Sequence, residues 1–150
     1  MNATPAKPLP VPDERSEGYW SAAARGVLAL PRCADCGRFA LPPDTVCPEC
    51  GSTDPRFAAE PVAGGATVRS WTVVHDAFLP GFAGDVPYVL VDVELDAQPG
   101  LRMIGRLVEG PGAPLHAGMR VGVAFDELAP GVMVPAFALS PSEESGKGLG

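Results

Sequence analysis

The sequence contains four cysteines, arranged in two pairs with the same internal spacing. Two residues separate the cysteines within the runs C-A-D-C-G (33–37) and C-P-E-C-G (47–51). This spacing lets both sulfurs of a tight turn face one ion, and Gly37 and Gly51 permit the left-handed backbone that frees amide groups to bond to sulfur. We predict a tetrahedral metal site with the ligands Cys33, Cys36, Cys47 and Cys50. Four thiolates leave no position for an activated water, so the ion is expected to be structural.

The identity of the metal follows less directly from the ligands. Four cysteines also bind iron in rubredoxin-type sites, and zinc is favoured here because it is the usual ion of four-cysteine ribbons. Free thiols or a redox dithiol are the alternative. Residues 1–12 contain four prolines and no apolar core of a secretory signal. We therefore expect a reducing, cytoplasmic location, where paired cysteines act as metal ligands more often than as disulfides.

Few other residues could support catalysis. The two histidines are His75 and His116. His75 precedes Asp76, and a His-carboxylate pair can act as a general base. Neighbours on an extended strand point to opposite faces, which weakens this pairing. An autonomous acyl-CoA-processing enzyme that uses His75 remains an alternative.

The charge balance argues against nucleic acid and membranes as partners. The formal net charge is -7, with 11 Lys and Arg residues that are scattered along the chain. Nucleic-acid binders cluster such residues, and no stretch approaches the roughly 20 apolar residues of a membrane span. Single-stranded nucleic-acid binding by a barrel remains an alternative, but it needs a basic groove with stacking aromatics. The arginines on the predicted barrel strands are accompanied by acidic residues: Arg69, Arg102 and Arg106 by Asp92, Glu94, Asp96 and Glu109.

The composition favours a mostly β protein. Eighteen glycines and eighteen prolines disfavour long helices and suit short strands joined by turns. Alternating apolar residues predict five strands, at 66–74, 88–95, 101–108, 120–125 and 133–139. One face of the second strand carries Val89, Val91, Val93 and Leu95. Five strands that share one buried face indicate a small barrel.

The chain divides into five predicted segments. An extended arm (1–12) precedes a helix (13–26) that begins with acidic residues and ends at Gly26. The ribbon (27–61) has short strands at 27–30 and 39–41 and a closing segment at 57–61. The barrel (62–139) includes a long loop at 75–87, and a polar, unpatterned tail (140–150) is expected to be mobile.

Several motifs together resemble a known family. After Tyr19-Trp20 come L-P-R-C-A-D-C-G-R, L-P-P-D-T-V-C-P-E-C-G-S, G-A-T-V-R-S-W-T-V-V-H and V-P-Y-V-L-V-D-V-E-L-D. Over residues 16–139 this order resembles the OB-fold, acyl-CoA-associated proteins with an N-terminal rubredoxin-like zinc ribbon. The resemblance implies a five-stranded OB-type barrel. It also implies a non-catalytic subunit that works beside a thiolase-fold enzyme (a thiolase, an acyltransferase or an aldolase of steroid side-chain degradation), sometimes next to a hot-dog-fold hydratase.

The same resemblance implies two groups of contact residues. Coenzyme A carries phosphates at one end of a slim apolar arm, which suits basic side chains beside an apolar groove. The expected phosphate contacts are Arg32, Arg38, Arg69 and Arg106, although each arginine also suits a solvated surface. The expected contacts to the arm are Trp71, His75, Phe78, Phe82 and Tyr88, with the barrel core as the alternative place for Trp71. The expected partner interface consists of Tyr19, Trp20, Phe39 and Leu41.

Overall fold

The computed structural model describes residues 6–140 of the chain, which form one helix followed by seven strands. The elements are α1 (Glu17–Ala24), β1 (Ala29–Arg32), β2 (Ala58–Pro61), β3 (Gly65–Val74), β4 (Tyr88–Leu95), β5 (Arg102–Arg106), β6 (Arg120–Ala129) and β7 (Val132–Leu139). The predicted mostly β class is confirmed. Residues 1–5 of the predicted arm and 141–150 of the predicted tail lie outside the described residues.

Helix α1 is closed at both ends by local hydrogen bonds. The carboxylate of Asp13 accepts the backbone N–H of Ser16 at 2.8 Å, and the hydroxyl of Ser16 accepts the N–H of Asp13 at 3.0 Å. At the other end Gly26 adopts a φ of 73°, and the N–H of Val27 donates to the carbonyl of Ala22 at 3.0 Å. This left-handed closure is the usual glycine-dependent end of a helix. The helix is therefore eight residues long and lies inside the longer span that the sequence predicts.

The ribbon is built on the antiparallel pair β1 and β2. Ala29 pairs with Pro61 and Arg32 with Ala58, while an isolated bridge joins Arg32 to Phe39. Strand β1 begins two residues later than predicted, although the carbonyl of Leu28 already accepts the N–H of Val62 at 2.9 Å. Leu28 and Leu30 are buried in the same cluster as the barrel interior. The ribbon and the barrel thus share one hydrophobic core.

The remaining five strands form a single sheet in the order β5-β4-β3-β6-β7, with antiparallel neighbours. A parallel bridge between Leu107 and Phe137 joins the two ends of this sheet, where the N–H of Val108 donates to the carbonyl of Phe137 at 2.8 Å. Five strands with this closure form an OB-type barrel. The predicted barrel is confirmed.

The barrel interior follows the period of two. The four predicted inward side chains of β4 are all buried. Phe137 is fully buried beside Gly105, where an added Cβ would lie 2.9 Å from the phenylalanine ring. Gly105 therefore gives this ring room to fill the barrel.

Strands β3 and β4 continue beyond the rest of the sheet. Strand β6 pairs with β3 from Gly65 to Thr67, while β4 pairs with β3 as far as Val74. We refer to residues 69–88, the outer half of β3 and the loop that leads to β4, as the hairpin tip. Within residues 6–140 there is also no helix long and apolar enough to cross a membrane.

Candidate metal centre and ligand groove

The four cysteine sulfurs converge on one point. All four Sγ atoms lie within 4.8 Å of one another. The Sγ atoms of Cys33 and Cys50 are 3.9 Å apart, and those of Cys36 and Cys47 are 3.8 Å apart. A tetrahedral ion with metal–sulfur bonds of about 2.3 Å requires sulfur–sulfur distances of about 3.8 Å. The four cysteines are therefore arranged to bind one metal ion.

Backbone amides of the two cysteine turns lie close enough to the sulfurs to donate hydrogen bonds to them, as the sequence predicts. Gly37 and Gly51 both have a φ of 76°, so the chain turns back over the thiols. Burial disfavours the thiolate of Cys47, but hydrogen bonds from the amides of Cys50 and Glu49 and from the thiols of Cys50 and Cys33 together outweigh it and lower the pKa of this thiol to about 7. A thiol that ionises near neutral pH is suited to bind a metal.

Two ion pairs connect the cysteine turns across the ribbon. Arg38 Nε lies 3.1 Å from a carboxylate oxygen of Glu49. Arg56 Nη2 lies 3.0 Å from a carboxylate oxygen of Asp35, which also accepts a short hydrogen bond from Ser52. These bonds from Ser52 and then Arg56 lower the pKa of Asp35. Charged side chains thus hold the two turns beside each other.

Arg32 is also used within the ribbon. Its guanidinium donates to the carbonyl of Gly37 at 2.6 Å and to the carboxylate of Glu60 at 2.8 Å. It lies over the ring of Phe39, 5.5 Å from the ring centre. This arginine therefore links the first cysteine turn to β2.

Gln98 attaches the ribbon to the barrel, a role that the sequence gave no reason to expect. Its side chain is 8% exposed. The amide oxygen accepts the N–H of Phe39 at 2.8 Å, and the amide nitrogen donates to the carbonyl of Phe39 at 2.9 Å. The side chain pairs with the ribbon backbone as a neighbouring strand would. No local pattern distinguishes it from an ordinary turn residue, because its partner is 59 residues away.

A groove of about 650 Å³ crosses the outer face of the barrel. One edge of the groove is formed by Lys7. Its Nζ lies 2.6 Å from a carboxylate oxygen of Asp85 and 5.1 Å from the ring centre of Phe82. In its wall Arg106 donates two hydrogen bonds of 2.7 Å to Asp126. The apolar lining is contributed by Leu90, Ile104, Leu128, Val134 and Pro135.

The groove brings together some of the residues expected to contact acyl-CoA. Phe82, Tyr88 and Arg106 line it. The other expected contacts lie elsewhere: Arg32 and Arg38 in the ribbon, and Arg69, Trp71, His75 and Phe78 on the hairpin tip. The four arginines expected to contact phosphate each have a carboxylate within 4 Å, from Glu60, Glu49, Glu94 and Asp126 respectively. Their charges are therefore balanced within the chain itself.

The residues expected at the partner interface are mostly packed within the chain. The rings of Tyr19 and Trp20 meet edge to face, with their centres 4.9 Å apart. Tyr19, Phe39 and Leu41 are half-buried against the core, and burial raises the pKa of Tyr19 to about 12. Trp20 is half-buried and lines a second groove, of about 590 Å³, with Pro10, Pro12, Val132 and neighbouring residues.

The two histidines do not form a catalytic pair with a carboxylate in the described part of the chain. His75 and Asp76 are both exposed, at the beginning of the loop after β3. His116 is exposed as well, with Nδ1 3.2 Å from the carbonyl oxygen of Ala117. Neither histidine lines the groove on the outer face of the barrel.

Comparisons with known proteins agree with this architecture. Residues 20–56 match the model of the ChsH2 rubredoxin-like zinc ribbon domain, and residues 59–126 match that of the ChsH2 C-terminal OB-fold domain. A similar solved structure is the Ltp2-ChsH2(DUF35) aldolase, with 32% sequence identity and a TM-score of 0.72. The alignment covers 87% of this chain and 98% of that chain. A search of curated proteins gave no significant match.

Proposed function

Because the chain belongs to the ChsH2 family of zinc-ribbon and OB-fold proteins, we propose that it is a non-catalytic subunit that docks on a thiolase-fold enzyme. There it helps to bind or channel an acyl-CoA thioester. The observation that carries the proposal is the similarity to a chain of the Ltp2-ChsH2(DUF35) aldolase, whose name joins a ChsH2 protein to a second protein. We take an Ltp2-type aldolase of steroid side-chain metabolism as the partner, with a hot-dog-fold hydratase as a further member of the assembly.

The metal centre supports an accessory role. Four thiolates occupy all four coordination positions of a tetrahedral ion. An ion bound by these cysteines therefore has no position for substrate or water. We assign zinc rather than iron to this site, on the ground of availability. When bound, zinc supplies folding energy to the ribbon, which has little core of its own. Four thiols poised for a metal also fit a reducing, cytoplasmic location.

The groove on the barrel supports contact with the thioester. Its apolar walls and the rings of Phe82 and Tyr88 suit the slim pantetheine arm of coenzyme A. The cations of the groove, Lys7 and Arg106, already pair with Asp85 and Asp126. Phosphates would have to compete with these carboxylates. We therefore place the arm of the cofactor in this groove and its phosphates on the partner enzyme.

Complex formation tests the proposal. The chain is mixed with the Ltp2-type aldolase of the same organism. The molar mass of each eluting species is then measured by size-exclusion chromatography with light scattering. We expect a stable complex. Trp20 lies at the surface of the second groove as an aromatic anchor, so Trp20→Ala is expected to weaken binding by about 2 kcal/mol.

The matched control is Val46→Ser, which removes an exposed apolar side chain that lines neither groove and should retain the wild-type affinity. Two separate elution peaks for the unmodified proteins, at concentrations well above those in the cell, would refute the proposal.

A further inference from the structure

The inner face of the barrel sheet is uncovered at the hairpin tip. Trp71 pairs directly with Val91, and Val73 pairs with Val89. Directly paired residues of antiparallel strands point to the same side of the sheet. Val89 and Val91 are buried, yet Trp71 is 42% exposed and Val73 is 37% exposed. Two side chains on the core side of the sheet thus remain open to solvent.

The backbone of β3 is also open at this place. Its last bonds on the side away from β4 join Val68 to Gly118 and Met119. From Arg69 to Val74, in the part of the chain that the structure describes, β3 has β4 as its one strand neighbour. A free edge with exposed apolar side chains is a template for another strand.

The loop at the end of the hairpin adds two further exposed apolar side chains. Phe78 is 93% exposed and Leu79 is 60% exposed. Together with Trp71 and Val73 they expose roughly 400 Å² of apolar surface, which is within the range of functional patches on monomers. Scattered single residues would need no explanation, but here they follow one another along a single hairpin.

We propose that the hairpin tip is a docking element that inserts into an apolar groove of the thiolase-fold partner, with a strand of that partner adding to the free edge of β3. This inference rests on the proposed function and adds the surface through which it works. A partner with a concave, apolar site that is neutral or basic at its rim would cover both the edge and the aromatic tip.

The occupant is a different protein rather than a second copy of this chain. Two copies, each with a net charge of -7, repel each other at long range. A symmetric contact through this patch would also bury roughly half of the ~800 Å² that each partner contributes to a standard interface. A concave heterologous surface escapes both restrictions.

The position of the tip connects docking with the groove on the barrel. Phe82, Asp85 and Tyr88 belong to the hairpin tip and also line that groove. A partner seated on Phe78 and Leu79 would therefore lie beside the groove's mouth. Docking through the tip would place the proposed path of the thioester next to the enzyme that uses it.

The experiment compares Phe78→Ser/Leu79→Ser with wild type in calorimetric titrations against the Ltp2-type aldolase. Both replaced side chains are exposed, so the fold should be unaffected. We expect affinity to fall by roughly thirtyfold or more. The control Val46→Ser removes another apolar side chain, 44% exposed and outside the hairpin tip and both grooves, and should change affinity less than about twofold. Hydrogen exchange of the wild-type chain should show new protection at residues 69–79 when the enzyme is added.

The possible results separate the two proposals. Failure of the wild-type chain to bind the aldolase would refute the proposed function and this inference with it. A complex that tolerates the double substitution and leaves residues 69–79 unprotected would refute this inference alone. So would a homodimer, or binding to phosphatidylcholine vesicles, that the double substitution abolishes.

Discussion

Single side chains hold the ribbon and the barrel in a fixed relation. Gln98, in the turn between β4 and β5, satisfies both backbone groups of Phe39 in the ribbon. Buried backbone groups without partners cost more than an ordinary hydrogen bond contributes. One amide side chain therefore has an effect far beyond its own turn.

Replacing Gln98 with Ala is expected to lower the free energy of unfolding by about 1–3 kcal/mol, because the N–H and C=O of Phe39 lose their partners in a partly buried place. Urea denaturation followed by circular dichroism measures the change. Glu109→Ala is the matched control. It also removes a side chain that accepts a backbone N–H, that of Leu139 at 2.8 Å, but in an exposed position. Its cost should be below about 1 kcal/mol, and an equal loss in both variants would contradict the role given to Gln98.

At the scale of elements, the sequence predicted those strands and turns that are determined by a local pattern of residues. The alternation in β4 predicted both its bounds and its buried face, and the spacing of the cysteines predicted sulfurs that converge on one point. The N-terminal end of α1 could not be predicted as well as its end at Gly26. Residues 13–16 have a helix-like composition, but they form a turn before the helix in which the Asp13 carboxylate accepts the N–H of Ser16.

Features that depend on distant residues could not be predicted in this way. Each expected phosphate contact is an arginine that finds a carboxylate on another strand or turn, such as Arg106 with Asp126 on β6. The exposure of Trp71 is a second case. Its pattern places it on the inner face of β3, and the shortness of the β3–β6 pairing leaves it partly uncovered.

The ribbon is the element that should depend on metal. The purified chain is expected to contain about one zinc ion, and Cys36→Ser should lose it and raise hydrogen exchange over residues 33–57. Strand β4 should stay protected from hydrogen exchange, because its buried side chains pack against other strands of the barrel. Elemental analysis with hydrogen exchange measures both effects. Val46→Ser, beside Cys47 but exposed, is the control and should keep the metal. A metal-free chain with a protected ribbon would contradict the structural role of the ion.

At the scale of the whole molecule, the described residues form a thiol cluster and two surface grooves whose linings contain no cysteine or histidine. The thiols converge on a closed metal site, and both histidines are exposed and away from the groove. The groove and the hairpin tip adjoin each other through Phe82 and Tyr88. Under the proposed function, the groove holds the thioester and the partner enzyme supplies the catalytic residues.

The rate of acyl-CoA turnover, measured for this chain alone, for the Ltp2-type aldolase alone and for their equimolar mixture, tests the accessory role most directly. The first rate is expected to equal the background, because among residues 6–140 neither histidine is paired with a carboxylate and a four-thiolate site leaves no open metal position. The mixture is expected to be faster than the aldolase alone, because the chain completes the thioester's binding path. Turnover by this chain alone, with no gain on adding the aldolase, would show that the chain is itself an enzyme.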